Sequence, residues 1–246
     1  MYWLMVMCKK RKVYEQFIDA FEEFRFNLKT TPFYDCGSES GTALAPSCPA
    51  CPKDQNGKLF VSLDACFGLP RKKTSGMSYR EPLSDNMFFH NQDKVDEFVS
   101  SYPVASGNSR GNKECSDFQA GSEMVSKGKY YALDETAVCG LGCKHGIPMD
   151  FLNLKGGERL AYGVYLLSCL TTRTAKSGVT VHFMYDICCL LESHLKKQNN
   201  NELLSCIKLA CPQFHVYGHG ATCQLMYSPR RLDGWGLIDG EVLERL

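Results

Sequence analysis

Val179-Thr-Val-His-Phe-Met-Tyr-Asp-Ile-Cys-Cys-Leu-Leu191 is a β-branched and aromatic run that carries a single carboxylate, Asp186. Preceded by Lys176-Ser-Gly178, so apolar a segment reads as an interior strand buried on both faces. Asp186 is then expected at the strand's carboxyl end. In open α/β sheets that end is where ligands and metals gather, and a buried acid without such a role is costly. Leu59-Phe-Val-Ser-Leu-Asp-Ala-Cys-Phe-Gly-Leu69 has the same form, with Asp64 inside it. The two runs predict two acids meeting on neighbouring strands.

The chain of 246 residues is long enough for one large domain with a buried core, and its net charge of +1 makes it no general magnet for nucleic acid. Phosphate contacts would have to come from local patches. Fourteen cysteines are many for this length and set a disulfide framework against metal-bound or reduced thiols. Met1 to Cys8 is too short an apolar run for a secretory signal, and its charges, Lys9 to Lys12, follow it instead of preceding it. An intracellular, reduced chain is therefore expected. No stretch approaches the roughly 20 apolar residues that a membrane helix requires.

Around the two strands, Phe17, Phe21, Phe24 and Leu28 recur at helical spacing and predict an amphipathic helix over Val13 to Lys29. Lys9-Lys-Arg-Lys12 is a weak nuclear address, and such runs are commonly just solvated. Thr30 to Pro46 reads as a loop. Residues 74–128 are polar and rich in Ser, Asn and Gly, and read as an insertion outside the core. It holds one helical patch, Asp93 to Val99, and one docking segment, Cys115-Ser-Asp-Phe118. Lys129 to Gly146 predicts a hairpin beside the Asp64 strand, Gly156 to Leu170 a crossover helix, and Cys188 to Lys197 a helix ended by Asn199-Asn-Asn201. The sum is a mixed α/β layer.

Several residues are metal-capable. Cys48-Pro-Ala-Cys51 is half of a zinc knuckle, because that turn aims both thiolates at one point. Its remaining ligands must come from far along the chain. Cys139, Cys143 and His145 are close in sequence, yet cysteine also packs as a small hydrophobe. His215, His219 and Cys223 stand four residues apart, on one face if the segment is helical, and two histidines one turn apart can grip zinc. Gly218 and Gly220 weaken that helix; Cys206, Cys211 or the Cys48/Cys51 pair are candidates to complete the set. Asp239-Gly-Glu241 opens a C-terminal helix, and on spacing alone Glu241 is a solvated helix-start acid.

Together, Val61-Ser-Leu-Asp-Ala-Cys-Phe67, Cys143-Lys-His-Gly146, Lys155-Gly-Gly-Glu-Arg159, Tyr185-Asp-Ile-Cys188, Phe214-His-Val-Tyr-Gly-His219 with Cys223-Gln224, and Asp239-Gly-Glu-Val-Leu-Glu-Arg245 form an ordered set of motifs. In motif and order it resembles the Kyakuja-Dileera-Zisupton (KDZ) family of transposases, from about Cys48 to the last residue. The resemblance implies an RNase H-like core over residues 53–246, after an N-terminal helix and a remnant of a cysteine cluster over 1–52. It implies that Asp64, Asp186 and Glu241 form an Asp-Asp-Glu triad holding two Mg²⁺ or Mn²⁺ ions for DNA strand cleavage and transfer. Cys48, Cys51, His215, His219 and Cys223 would serve a structural Zn²⁺, the last three folding the segment that delivers Glu241. DNA, the transposon ends, is the implied partner, the nucleus the implied location, and an oligomer stays open.

The family continues well past the Glu-Arg motif, whereas this chain stops at Leu246, so an incomplete copy is expected. Three readings stand: a metal-dependent strand-transfer enzyme, a catalytically inactive zinc-bearing scaffold derived from one, and an unrelated thiol or zinc protein.

Overall fold

The computed structural model describes residues 11–30, 48–53, 56–75, 88–103, 132–157 and 159–245. The chain forms two compact units. One takes in Met1–Pro46 and Gly76–Met87, the other Ser47–Ser75 and Phe88–Leu246. In the first, helix α1 (Arg11–Thr30) realises the amphipathic pattern, with Phe17 and Phe21 stacked one turn apart at 6.2 Å between ring centroids. The basic run's first residues, the Thr30–Pro46 loop beyond Thr30, and Cys115 to Phe118 lie outside the described residues.

The second unit is a mixed α/β body built on a five-stranded sheet in the order β5-β4-β1-β6-β7. Strand β1 (Lys58–Cys66) lies at its centre, antiparallel to β4 (Ala137–Cys143) and parallel to β6 (Thr180–Tyr185). Strand β5 (Pro148–Leu154) pairs antiparallel with β4, and β7 (Ile207–Ala210) parallel with β6. Both apolar runs are thus interior strands. Each has a neighbour on either side and apolar cover on both faces, as a near-continuous hydrophobic run requires.

The hairpin lies further along the chain than the sequence predicts. Its arms are β4 and β5, closed by a turn at Cys143–Gly146, while β3 (Leu133–Glu135) leaves the main sheet to pair with β2 (Arg71–Lys72). The predicted insertion also contributes to the core. Asn91 accepts a hydrogen bond from the Lys94 amide and so caps helix α2 (Gln92–Ser101), whose Val95 and Val99 are buried in the main cluster. A patch with two apolar residues on one face packs because helix α3 (Leu160–Thr174) offers it an apolar surface. Cys48 and Cys51, grouped by sequence with the N-terminal remnant, belong to this body as well.

Side chains alternate across the sheet, and the alternation sorts the two layers. Leu59, Val61 and Leu63 of β1 and Val181, Phe183 and Tyr185 of β6 join a core with α2, α3 and helix α4 (Cys188–Lys197). Helix α4 ends where Asn199 takes a left-handed conformation, φ 55°, and the short helix α5 (Asn201–Ser205) leads into β7. On the opposite face, Phe60, Met184 and Ala210 are covered by Leu232, Trp235 and Ile238 from the C-terminal segment. Asp64 and Asp186 have the same parity as Phe60 and Met184, so both belong to the face under that segment.

Candidate active site

Parallel pairing matches Leu63 with Tyr185, so Asp64 and Asp186 are the next residues along two adjacent strands. Strands hydrogen-bonded in a sheet lie about 4.8 Å apart, which brings the two acids together at the carboxyl ends. The Ala65 amide donates to Oδ1 of Asp64 at 2.7 Å, and the Ile187 amide donates to Oδ1 of Asp186 at 2.8 Å. Each carboxylate is thereby oriented by the backbone that follows it.

Glu241 reaches the same place from the far end of the chain. The C-terminal segment crosses β4 where glycines leave room: a Cβ on Gly140, which pairs with Asp64, would sit 3.5 Å from Leu243, and one on Gly142 would sit 3.2 Å from Val242. Gly240 approaches Met184 and Pro212 so closely that a Cβ there would lie 2.8 Å from the Met184 sulfur, and its φ of +83° favours glycine. The predicted C-terminal helix is a single 3₁₀ turn, Leu243–Arg245, and Glu241 precedes it. Glu241 is 4% exposed, a buried acid and not a solvated one.

Its partners explain why burial is tolerated. The Phe214 amide donates to Oε1 of Glu241 at 2.8 Å, and Nδ1 of His215 lies 3.3 Å from Oε2. Nε2 of His215 lies 3.7 Å from Glu244. The pairing with Glu241 raises the His215 pKa to about 9 against burial, and the charges of Asp186 and Asp64 raise it further. Burial pushes the Asp64 carboxyl up; the Ala65 amide and His215 partly offset this, while Glu244 and Glu241 add to it. His215 thus sits among four acids, a setting that favours its charged form. Oxygen donors of this kind suit a hard divalent cation.

His215 belongs to this acidic cluster, not to a zinc set with His219 and Cys223. The segment is broken into helix α6 (Gln213–Val216) and helix α7 (Ala221–Tyr227) around Gly218 and Gly220, so the spacing of four does not put the three on one face. His219 and Cys223 instead meet Cys189 at the start of α4, with the Cys189 sulfur 3.6 Å from Nδ1 of His219. Burial lowers the His219 pKa, and a bond to the Asp186 backbone opposes that. Cys211 approaches Cys188 at 2.9 Å and donates to the Asp186 carbonyl, while Cys206 is exposed beside Ser205. Neither completes the set. Sequence alone gives no sign of Cys189, because it lies in the apolar run after Asp186, where a thiol reads as one more small hydrophobe.

The Cys48/Cys51 pair finds its complement in Cys143 and His145, on the turn between β4 and β5. The four ligand atoms lie within 4.8 Å of one another. Cys139, named with them in sequence, is buried in the main core.

Against proteins already characterised, no curated protein matches the chain. No solved structure matches it either. The family model described as Kyakuja-Dileera-Zisupton transposase matches residues 57–246, a span that holds Asp64, Asp186, Glu241 and every strand of the main sheet. The chain belongs to the Kyakuja-Dileera-Zisupton transposase family.

Proposed function

We propose that this chain cuts and rejoins DNA strands through Asp64, Asp186 and Glu241, which together hold two Mg²⁺ or Mn²⁺ ions. The observation that carries the reading is the parallel register of Leu63 with Tyr185, which sets one acid on each of two adjacent strand ends. An antiparallel unit, β5-β4-β1, continued by the parallel crossover strands β6 and β7, supports an RNase H-like core. Family membership supports DNA as the partner and the nucleus as the place of action.

When bound, a pair of divalent ions stabilises the attacking and leaving oxygens of an in-line displacement at phosphorus. The chain's own residues hold the acids still. Backbone amides fix the Asp64 and Asp186 carboxylates, the Phe214 amide fixes Glu241, and His215 shields their mutual repulsion. Beside α6, a groove of about 600 Å³ is lined by Gln213, Tyr217, Gln224, Arg230 and Arg231. Its two exposed arginines suit the phosphates of a strand that leads to the acids. That local patch supplies what a net charge of +1 does not.

The test is cleavage of a labelled DNA end by the purified chain with Mn²⁺ or Mg²⁺. Asp64→Asn and Asp186→Asn should each abolish it. Cleavage that survives Asp186→Asn would overturn the triad. The clustered Cys/His groups favour a second reading, a zinc-bearing scaffold with idle acids, which a native chain inert on DNA would support.

A further inference from the structure

Two turns far apart in sequence converge near the start of β1. In the first, the Cys51 amide donates to the Cys48 carbonyl at 3.3 Å, closing a tight loop that turns both thiols to one side. In the second, the Gly146 amide donates to the Cys143 carbonyl at 2.9 Å, and Gly146 takes a φ of +81°, so the hairpin folds back and presents His145. The Lys144 amide donates to the Phe60 carbonyl at 3.1 Å and ties this turn to β1.

The imidazole stands at the focus of the three thiols. Nδ1 of His145 lies 3.4 Å from the Cys48 sulfur, 3.5 Å from Cys51 and 3.9 Å from Cys143. Zinc bonds thiolate sulfur at about 2.3 Å and imidazole nitrogen at about 2.0–2.1 Å, so the nitrogen–sulfur edges of a tetrahedral site measure about 3.6 Å. The observed separations bracket that edge. We propose that Cys48, Cys51, Cys143 and His145 bind one zinc ion as a structural clasp that fastens the turn before β1 to the β4–β5 hairpin.

Ligand chemistry and position agree. Three soft sulfurs and one imidazole select zinc over the hard cations suited to the carboxylates, and a closed set of four protein ligands marks a structural site. The clasp spans 97 residues between Cys48 and His145 and ties the turn before β1, the strand that carries Asp64, to the end of its neighbour β4. It acts on the fold and not on the reaction.

The experiment is metal content by mass spectrometry on the full chain purified without added metal, beside cobalt(II) substitution. The native chain should hold this zinc, and its cobalt form should show the intense thiolate charge-transfer band of a tetrahedral site. Cys51→Ser and Cys143→Ser should each lose one equivalent of zinc relative to the native chain, whereas Cys189→Ser, outside the set, should keep it. His145→Cys, which preserves four ligands, should retain the metal with an added sulfur-to-cobalt band even if His145→Ala fails to fold. Full zinc occupancy in folded Cys51→Ser, or none in the native chain, would overturn the clasp. Asp186→Asn should leave the zinc in place, so loss of DNA cleavage and loss of this metal are separate outcomes.

Discussion

Gly140 stands directly opposite Asp64 across the β1–β4 pair, and the Cβ it lacks would fall 2.5 Å from the Phe151 ring. The absent side chain leaves room for the Phe151 ring, while Leu243 of the C-terminal segment lies at ordinary contact distance, 3.5 Å, from the same position. Filling that space with Gly140→Val forces Phe151 and the C-terminal segment to shift. Overpacking of this kind costs about 1–3 kcal/mol. Urea unfolding should show that loss, with DNA cleavage falling more steeply than stability as Glu241 moves.

Trp235 is 3% exposed and meets Phe60 edge-on at 5.6 Å and His182 at 4.9 Å between ring centroids. It is the principal cover of the second face of the sheet. Trp235→Ala should cost about 3–5 kcal/mol in chemical denaturation. Limited proteolysis should then cut the C-terminal segment first, before the strands themselves open.

Asp64 offers the opposite trade. Its carboxylate is half-buried beside other acids, so charge removal relieves repulsion in the metal-free chain while deleting a proposed cation ligand. Asp64→Asn should raise the unfolding midpoint measured by calorimetry without divalent metal. If the proposed role holds, the same variant should lose cleavage about a thousandfold or more, the effect of removing a ligand worth several kcal/mol to the displacement.

Stability towards acid should report a pair remote from the acidic cluster. Burial pushes the Asp150 carboxyl up, but hydrogen bonds from His90 and Arg173 outweigh it and hold the pKa down to about 2. The Arg173 contact is bidentate, at 3.0 and 2.6 Å. A carboxyl depressed on folding stabilises the native state above its unfolded pKa of about 3.9, and this is lost as pH falls through its folded value. The native chain should therefore lose about 2 kcal/mol between roughly pH 5 and pH 2 that Asp150→Asn does not lose. Denaturation across that range checks the difference.

What could be read in advance divides along physical lines. The strands of Asp64 and Asp186 were legible because a short apolar run, rich in β-branched and aromatic residues and bounded by glycine, is the signature of a strand buried on both faces. The Asn199 stop was legible because that residue tolerates the left-handed turn. Glu241 was not legible as a buried acid from spacing, since its shelter is made by Phe214 and His215 folding back over it. The break between α6 and α7 was hinted at by Gly218 and Gly220, but which histidine turned to the carboxylates and which to the thiols depended on the break's geometry. Val95 and Val99 were hidden by the polar residues around them; only the partner surface of α3 makes that patch a core helix.

The layering of the sheet also constrains how a newly made chain behaves on the ribosome. Synthesis delivers Phe60 and Met184 well before Trp235, the residue that shuts them away from water. Until that lid emerges, a nascent chain displays a greasy strip flanked by two aspartates that have no glutamate to join them. The late arrival of that segment thus postpones the gathering of the three acids until after both strands have been made.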